Sequence, residues 1–166
     1  MKPDPEQLFI QIIEADKNRL FRICRTYADD MDGAKDLFQE VLINIWKSLP
    51  GFKQEANIST WVYRITVNVC LRAREFSYKK EKHFVRLESV KIEPADETSS
   101  NKDEEENLVK LRAFIQQLNQ PDKTIILLYL EDIAYKEIAA ITGLSENHIA
   151  VKVKRIKSKL LTHLTS

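Results

Sequence analysis

The chain has 166 residues, of which 43% are hydrophobic and 31% charged, with a net charge of +1. This composition is typical of a folded, soluble protein of one domain or two small ones. Three glycines and five prolines are few for the turns of a sheet protein, so helices are favoured. No apolar run approaches the roughly 20 residues that cross a bilayer, and the acidic N-terminal segment is unlike a secretory signal.

Apolar residues recur at helical spacing in three segments of the first half, residues 7–27, 32–49 and 58–80. Pro50 and Gly51 are expected to end the second helix. A short polar loop follows over 52–57, and Ser59 or Thr60 is expected to cap the third helix. Cys24 and Cys70 have no C-x-x-C spacing, which favours two buried thiols in a reducing cytoplasm over a disulfide between them.

The composition changes in residues 91–106, which hold seven acids, two lysines and no aromatic residue. Such a segment cannot bury a core, so we expect a flexible acidic linker. A helix is expected to resume at about Asn107 and to be broken by Pro121, and Asp122 then caps a strongly apolar helix. The sequence therefore predicts an all-α protein with two small helical domains, residues 1–90 and 107–166.

Residues 135–161 have the spacing of a helix-turn-helix. Ala139 lies four residues before Gly143, which is expected to form the sharp turn, and Ser145 is a suitable N-cap for the second helix. One stripe of this helix should face inward: Ile149, Val153, Ile156 and Leu160. A neighbouring face is basic: His148, Lys152, Arg155 and Lys159. A basic helix presented in this way suits the DNA major groove, whereas the alternative is a solvated face of a packed terminal helix.

A second basic surface is predicted on the helix that follows residue 58. Steps of three, four and four residues place on one face Trp61, Arg64, Asn68 and Arg72. Aromatic residues are interleaved with bases around this helix: Trp61, Tyr63, Phe76, Tyr78 and Phe84. Such surfaces stack unpaired bases, each worth roughly 1–3 kcal/mol. The alternative is that Trp61 and Tyr63 belong to the core and the arginines are solvated.

Two segments of the first half resemble conserved motifs of bacterial RNA polymerase sigma factors. They are GAKDLFQEVLINIW at 33–46 and STWVYRITVNVCLRARE at 59–75, and the helix-turn-helix is similar to the C-terminal domain of these proteins. The order of the motifs, the linker and the short length resemble the extracytoplasmic-function (ECF) group. That resemblance implies a sigma2-like helical bundle and a sigma4-like helix-turn-helix domain.

The resemblance also implies roles for individual residues. The acidic, polar face of the second helix, otherwise read as solvated, would bind the clamp helices of the polymerase β′ subunit: Asp36, Gln39, Glu40 and Asn44. A second set would capture non-template bases of the opened minus-ten element: Phe52, Asn57, Trp61, Arg64, Asn68 and Arg72. A third would read the minus-thirty-five element as duplex: His148, Lys152, Arg155, Lys157 and Lys159. In that set His148 and Lys152 would reach base edges, and Arg155 and Lys157 would hold phosphates.

The function implied is an initiation factor that binds core polymerase through its β′ and β subunits, directs it to promoters and helps to open them. The linker would extend toward the RNA exit channel, and an anti-sigma factor is an expected partner. We expect no cofactor, no metal, no covalent chemistry and no membrane insertion, and a place in the cytoplasm, on the nucleoid when bound to polymerase. His148, Ala150 and the Leu71–Arg72 pair depart from the family pattern, which leaves the promoter sequence open.

Two other functions are compatible with parts of the sequence. A stand-alone helix-turn-helix regulator would bind paired half-sites as a dimer, but the aromatic and basic first domain does not resemble a ligand-binding or phospho-acceptor domain. An enzyme is disfavoured because His83, His148 and His163 are scattered and no nucleotide-binding or nucleophile motif occurs.

Overall fold

A computed structural model describes residues 4–53, 57–79 and 102–165, with the backbone alone at 75–79. Within these ranges the chain forms seven α-helices and one short 3-10 turn, without a strand, which confirms the all-α prediction. The chain divides into two compact units, Met1–Asp96 and Glu97–Ser166. The boundary between them falls inside the predicted linker.

The first unit contains α1 (Pro5–Tyr27), α2 (Met31–Ser48), the 3-10 turn Leu49–Gly51 and α3 (Ile58–Lys79). α2 begins where the Asp30 carboxylate accepts the Gly33 N–H at 2.7 Å. α3 is capped by Asn57, whose side-chain oxygen accepts the Ser59 N–H at 3.0 Å. The predicted cap at Ser59 or Thr60 is therefore wrong, because both residues already lie inside the helix.

The core of the first unit is formed by α1, α2 and α3, each of which packs against the other two. Its fully buried apolar side chains include Leu20, Ile23, Val41, Ile45 and Val62. Both thiols, Cys24 and Cys70, are free and buried in this core, as predicted. A hydrogen bond with Cys24 and burial raise the pKa of Cys70 well above its usual value, so this thiol stays protonated.

Tyr63 is a core residue. It is 1% exposed, and its hydroxyl donates to the Asp16 carboxylate at 3.2 Å. Arg19 donates to the same hydroxyl at 3.5 Å. Burial raises the pKa of Tyr63 to about 12. Of the two alternatives that the sequence left open for Tyr63, the structure therefore supports the core position, because helix packing turns this ring inward.

The second unit contains α4 (Lys102–Gln117), α5 (Gln120–Leu130), α6 (Tyr135–Thr142) and α7 (Glu146–Thr165). α4 begins five residues before the predicted start at Asn107, so residues 102–106 of the predicted linker are helical. Its first turn carries Asp103, Glu104 and Glu105. Acids at this end interact favourably with the helix dipole, which is why an acidic run forms a helix here. The rest of the predicted linker, residues 91–101, lies outside the described residues.

α5 forms the centre of the second unit. Its N-cap is Asn119, whose side chain accepts the Asp122 N–H at 2.9 Å, so the predicted cap at Asp122 is wrong. Pro121 lies in the first turn of α5, where a missing N–H costs nothing. The apolar side chains of α5 pack against α6 and α7, and the predicted inward stripe of α7 is buried at Ile149, Val153 and Ile156. Leu160, the fourth member of that stripe, is half-buried.

Candidate nucleic-acid interface

The turn between α6 and α7 has the geometry that the sequence predicts. Gly143 adopts φ +80°, in the left-handed region that favours glycine, and its N–H donates to the Ala139 carbonyl at 2.8 Å. The Thr142 hydroxyl donates to the Ile138 carbonyl at 2.8 Å, so the polar side chain before the glycine is satisfied within α6. Ser145 accepts the His148 N–H at 3.1 Å and caps α7. These bonds fix the direction in which α7 leaves the turn.

The predicted DNA-binding residues of α7 fall into two groups. Some side chains are exposed, and others, called tethered below, are held by a side chain of the same unit. His148, Arg155 and Lys159 are exposed. Lys152 is half-buried, and its ammonium pairs with the Asp122 carboxylate of α5 at 2.9 Å. Lys157 donates to the Tyr129 hydroxyl at 3.1 Å, and its nitrogen lies 5.2 Å from the centre of that ring. The hydrogen bond to Tyr129 raises the pKa of Lys157. Both tethered lysines lie near the surface but are held by side chains of their own unit.

Near the start of α3 the structure brings together several of the predicted minus-ten residues. The Phe52 and Trp61 rings lie 4.9 Å apart at a tilt of 49°, and both side chains are half-buried. Asn57 lies between them in sequence and caps α3, so its side-chain oxygen is engaged by the backbone. Farther along α3, Arg64, Asn68 and Arg72 are exposed. The helical spacing places these three on the same face as Trp61.

The predicted polymerase-binding face of α2 is partly exposed. Glu40 is exposed, Asp36 and Gln39 are half-buried, and the Asn44 amide donates to the Glu40 carbonyl of its own helix at 2.8 Å.

This face also holds two large apolar side chains that sequence reasoning missed. Ile43 is 51% exposed and Trp46 is 46% exposed, and Trp46 meets Phe9 of α1 edge to face at 5.3 Å. Their spacing from Gln39, four and seven residues, was a signal of a shared face. The exposed face of α2 therefore combines large apolar side chains with acidic and amide groups.

Within residues 4–53, 57–79 and 102–165, no three His, Cys, Asp or Glu side chains converge as they would around a metal ion. None of the helices described is at once long and apolar enough for a membrane span.

Family comparisons match both units. The Sigma-70 region 2 model matches residues 12–77, and the Sigma-70 region 4 model matches residues 108–160. The chain is 26% identical over 165 residues to RNA polymerase sigma factor SigV of Bacillus subtilis, covering 99% of this chain and 95% of SigV. It is 25% identical to ECF RNA polymerase sigma factor SigW of the same organism, covering 99% of this chain and 92% of SigW.

The fold agrees with that of a solved sigma factor. RpoE of Bartonella quintana, in complex with the anti-sigma factor NepR, superposes with a TM-score of 0.69 at 23% identity, covering 96% of each chain. A stand-alone regulator does not account for a region 2 match in the first unit followed by a region 4 match in the second. Because both matches occur in the order of the family and the similarity to SigW spans nearly all of the sequence, the chain belongs to the ECF group of the sigma-70 family of RNA polymerase sigma factors.

Proposed function

We propose that this sigma factor divides promoter recognition among three surfaces. The exposed face of α2 binds core RNA polymerase, the start of α3 holds bases of the opened minus-ten element, and α7 reads the minus-thirty-five element as duplex. The observation that carries the proposal is the presence of two unlike basic surfaces in one chain. One is a capped, basic helix suited to a groove, and the other is an aromatic pair beside guanidinium groups.

The duplex surface is carried by α7. A helix fits the major groove of B-DNA, and the Gly143 turn with the Ser145 cap supports the N-terminal end of α7, where recognition helices contact base edges. His148 lies in this first turn, and Arg155 lies two turns farther along. We assign base contact to His148 and phosphate contact to Arg155 and Lys159. Lys152 and Lys157 contribute charge from positions held by Asp122 and Tyr129.

The single-strand surface is carried by Phe52 and Trp61. Each ring is half-buried, which leaves one part packed and another part open to a stacked base. The exposed Arg64, Asn68 and Arg72 continue the same face and suit the phosphates of a strand that runs along α3. Because these groups meet unpaired bases only after the duplex separates, binding here favours the open promoter over the closed one.

The polymerase surface is carried by α2. Trp46 and Ile43 supply exposed apolar area, and Asp36, Gln39 and Glu40 supply acidic and amide groups around it. Aromatic anchors ringed by polar groups dominate the energetics of protein interfaces. We assign this face to the clamp helices of the β′ subunit, and the acids complement a basic partner.

The direct experiment is run-off transcription with purified core polymerase. The template set is a library of fragments from the native genome, and specific transcripts from holoenzyme but not from core alone are expected. Transcripts that are the same with and without this protein would overturn the proposal. Once a promoter is in hand, Trp61→Ala is expected to reduce opening, measured by permanganate reactivity, more than closed-complex binding, measured by gel shift.

The matched control for Trp61 is Trp61→Phe, which keeps an aromatic face for stacking. Losing one stacked base costs roughly 1–3 kcal/mol, or about five- to 150-fold in the open-complex equilibrium. Trp61→Phe should retain most of the opening. Equal losses in opening and in closed-complex binding for Trp61→Ala would contradict the role of this ring.

We further propose a cytoplasmic location, on the nucleoid when the protein is bound to polymerase, and action by binding without covalent chemistry. An anti-sigma factor is a proposed partner, supported by the fold shared with RpoE, which was solved with NepR. An inhibitor of this kind should lower specific transcription in proportion to its concentration, and excess core polymerase should relieve the inhibition. Inhibition that persists at saturating core polymerase would argue against competition for the same protein.

A further inference from the structure

Val151 is an apolar side chain exposed in the middle of the basic helix α7. It is 47% exposed, although valine usually lies inside. Successive residues of an α-helix are about 100° apart, so Val151 points about 200° away from the buried Ile149. The side chain therefore lies almost opposite the core, at the centre of the outward face.

The neighbours of Val151 on this face are Asn147 and His148 before it and Lys154 and Arg155 after it. All four are exposed. Lys152 is adjacent in sequence but is drawn toward α5, where Asp122 holds its ammonium at 2.9 Å. Lys157 is likewise held by Tyr129 on the other flank. The outward face of α7 thus places a valine among an amide, an imidazole, an ammonium and a guanidinium group.

The charge around Val151 selects its partner. Between Ser145 and Leu161 the sequence holds five bases and a single acid, Glu146. An apolar protein surface would have to bury these cations without compensation, whereas DNA phosphates neutralise them. In the major groove thymine alone presents a methyl group, and apolar side chains contact it there. A valine at the centre of such a face matches that methyl group in size and chemistry.

We propose that Val151 contacts the C5 methyl of a thymine in the minus-thirty-five element and so determines specificity at that base pair. This rests on the proposed placement of α7 in the major groove. Deoxyuridine lacks only that methyl group and keeps every hydrogen-bonding atom of the base pair. Replacing thymine by deoxyuridine therefore removes the proposed contact and leaves the hydrogen-bonding groups of the base pair in place.

The test uses holoenzyme reconstituted from the full chain and core polymerase. Duplexes are first selected from a library randomised upstream of the start site, and each thymine of the enriched segment is then replaced in turn by deoxyuridine. One replacement is expected to weaken binding about fourfold, the equivalent of burying one methyl group. Val151→Ala should weaken binding to the thymine duplex and should remove the sensitivity to that replacement.

Two variants control for unrelated effects. Val109→Ala shortens another exposed valine of the same unit, in α4, and should keep the full sensitivity to deoxyuridine. Val151→Thr retains a methyl group and should keep part of the sensitivity to deoxyuridine. A selected sequence with no thymine sensitivity, or equal sensitivity in Val151→Ala and the natural protein, would overturn the Val151 contact alone. Failure to enrich any upstream sequence would overturn both this contact and the proposed role of α7.

Discussion

The ion pair between Asp122 and Lys152 leads to a prediction with opposite signs for stability and for DNA binding. The lysine nitrogen lies 2.9 Å from the carboxylate oxygen, and the two side chains are 23% and 17% exposed. The residues are 30 positions apart, so the pair joins α5 to α7. Asp122→Asn keeps the size of the side chain but removes its charge. Lys152 is then released from its anionic partner and can turn toward a phosphate.

The expected magnitudes follow from this geometry. One added phosphate contact should steepen the dependence of log binding constant on log salt by about 0.9. Over a fourfold change of salt this amounts to about 3.5-fold in affinity. Unfolding of the second unit should become easier by about 1 kcal/mol, because a pair with this degree of exposure is worth more than a surface pair and less than a buried one. Asp122→Asn should therefore bind DNA more tightly at low salt while melting earlier.

The measurement is holoenzyme binding to promoter duplex by fluorescence anisotropy, across a salt series. Lys152→Ala is introduced into the natural protein and into Asp122→Asn. It should reduce the magnitude of the salt slope by about 0.9 only in Asp122→Asn. Asp103→Asn removes another carboxylate of the same unit, in the first turn of α4, and controls for net charge. If Lys152→Ala lowers the slope equally in both backgrounds, Lys152 already contacts DNA in the natural protein and the reasoning fails.

Three further predictions concern the core residue Tyr63, the exposed Trp46 of α2 and the turn at Gly143. The pKa of Tyr63 is raised from 10.0 to about 12 by burial, so the folded state retains the proton longer and stability is lost as pH rises from 10 to 12. Two pKa units correspond to about 3 kcal/mol. Chemical denaturation of Tyr63→Phe, which has no phenol here, should show a smaller loss over that range, and equal losses would count against the assignment. Trp46→Ala should weaken core polymerase binding at least tenfold, by about 1.4 kcal/mol or more, in a competition assay, with Val109→Ala unchanged. Gly143→Ala should cost about 1–2 kcal/mol in urea unfolding because of its φ of +80°, whereas Gly51→Ala, also free of close neighbours, should cost far less; similar costs at both glycines would refute the backbone argument.

Local patterns were sufficient to predict the helix-turn-helix of the second unit. The buried stripe of α7 repeats every three or four residues, so Ile149, Val153 and Ile156 were found from spacing alone. The turn between α6 and α7 was also predictable from sequence. A left-handed residue at the end of a helix is favoured to be glycine, and Gly143 occupies that position. In each case the signal and the structure that it specifies lie within a few residues of each other.

Contacts between distant residues could not be predicted in this way. The basic face of α7 included Lys152, but only packing against α5 shows that Asp122 holds this lysine. The sequence left Tyr63 as either a stacking surface or a core residue. Only its contact with Asp16, 47 positions away, shows that it belongs to the core. A helical period identifies which residues share a face, but it does not identify which face meets a neighbouring helix. The exposed Ile43 and Trp46 were missed for the same reason.

The contacts that hold Lys152 and Lys157 reduce the number of bases that α7 can offer to DNA without core polymerase. α7 has five bases in Ser145–Leu161, but Lys152 and Lys157 are each held by a side chain of the same unit. Three bases remain for phosphates, and three contacts give a salt slope of about −2.7, well below that of proteins that bind DNA tightly on their own. We expect weak unaided binding to limit how much non-specific DNA the free protein occupies. We expect core polymerase to supply the missing affinity, which leaves His148 and Val151 to discriminate among sequences.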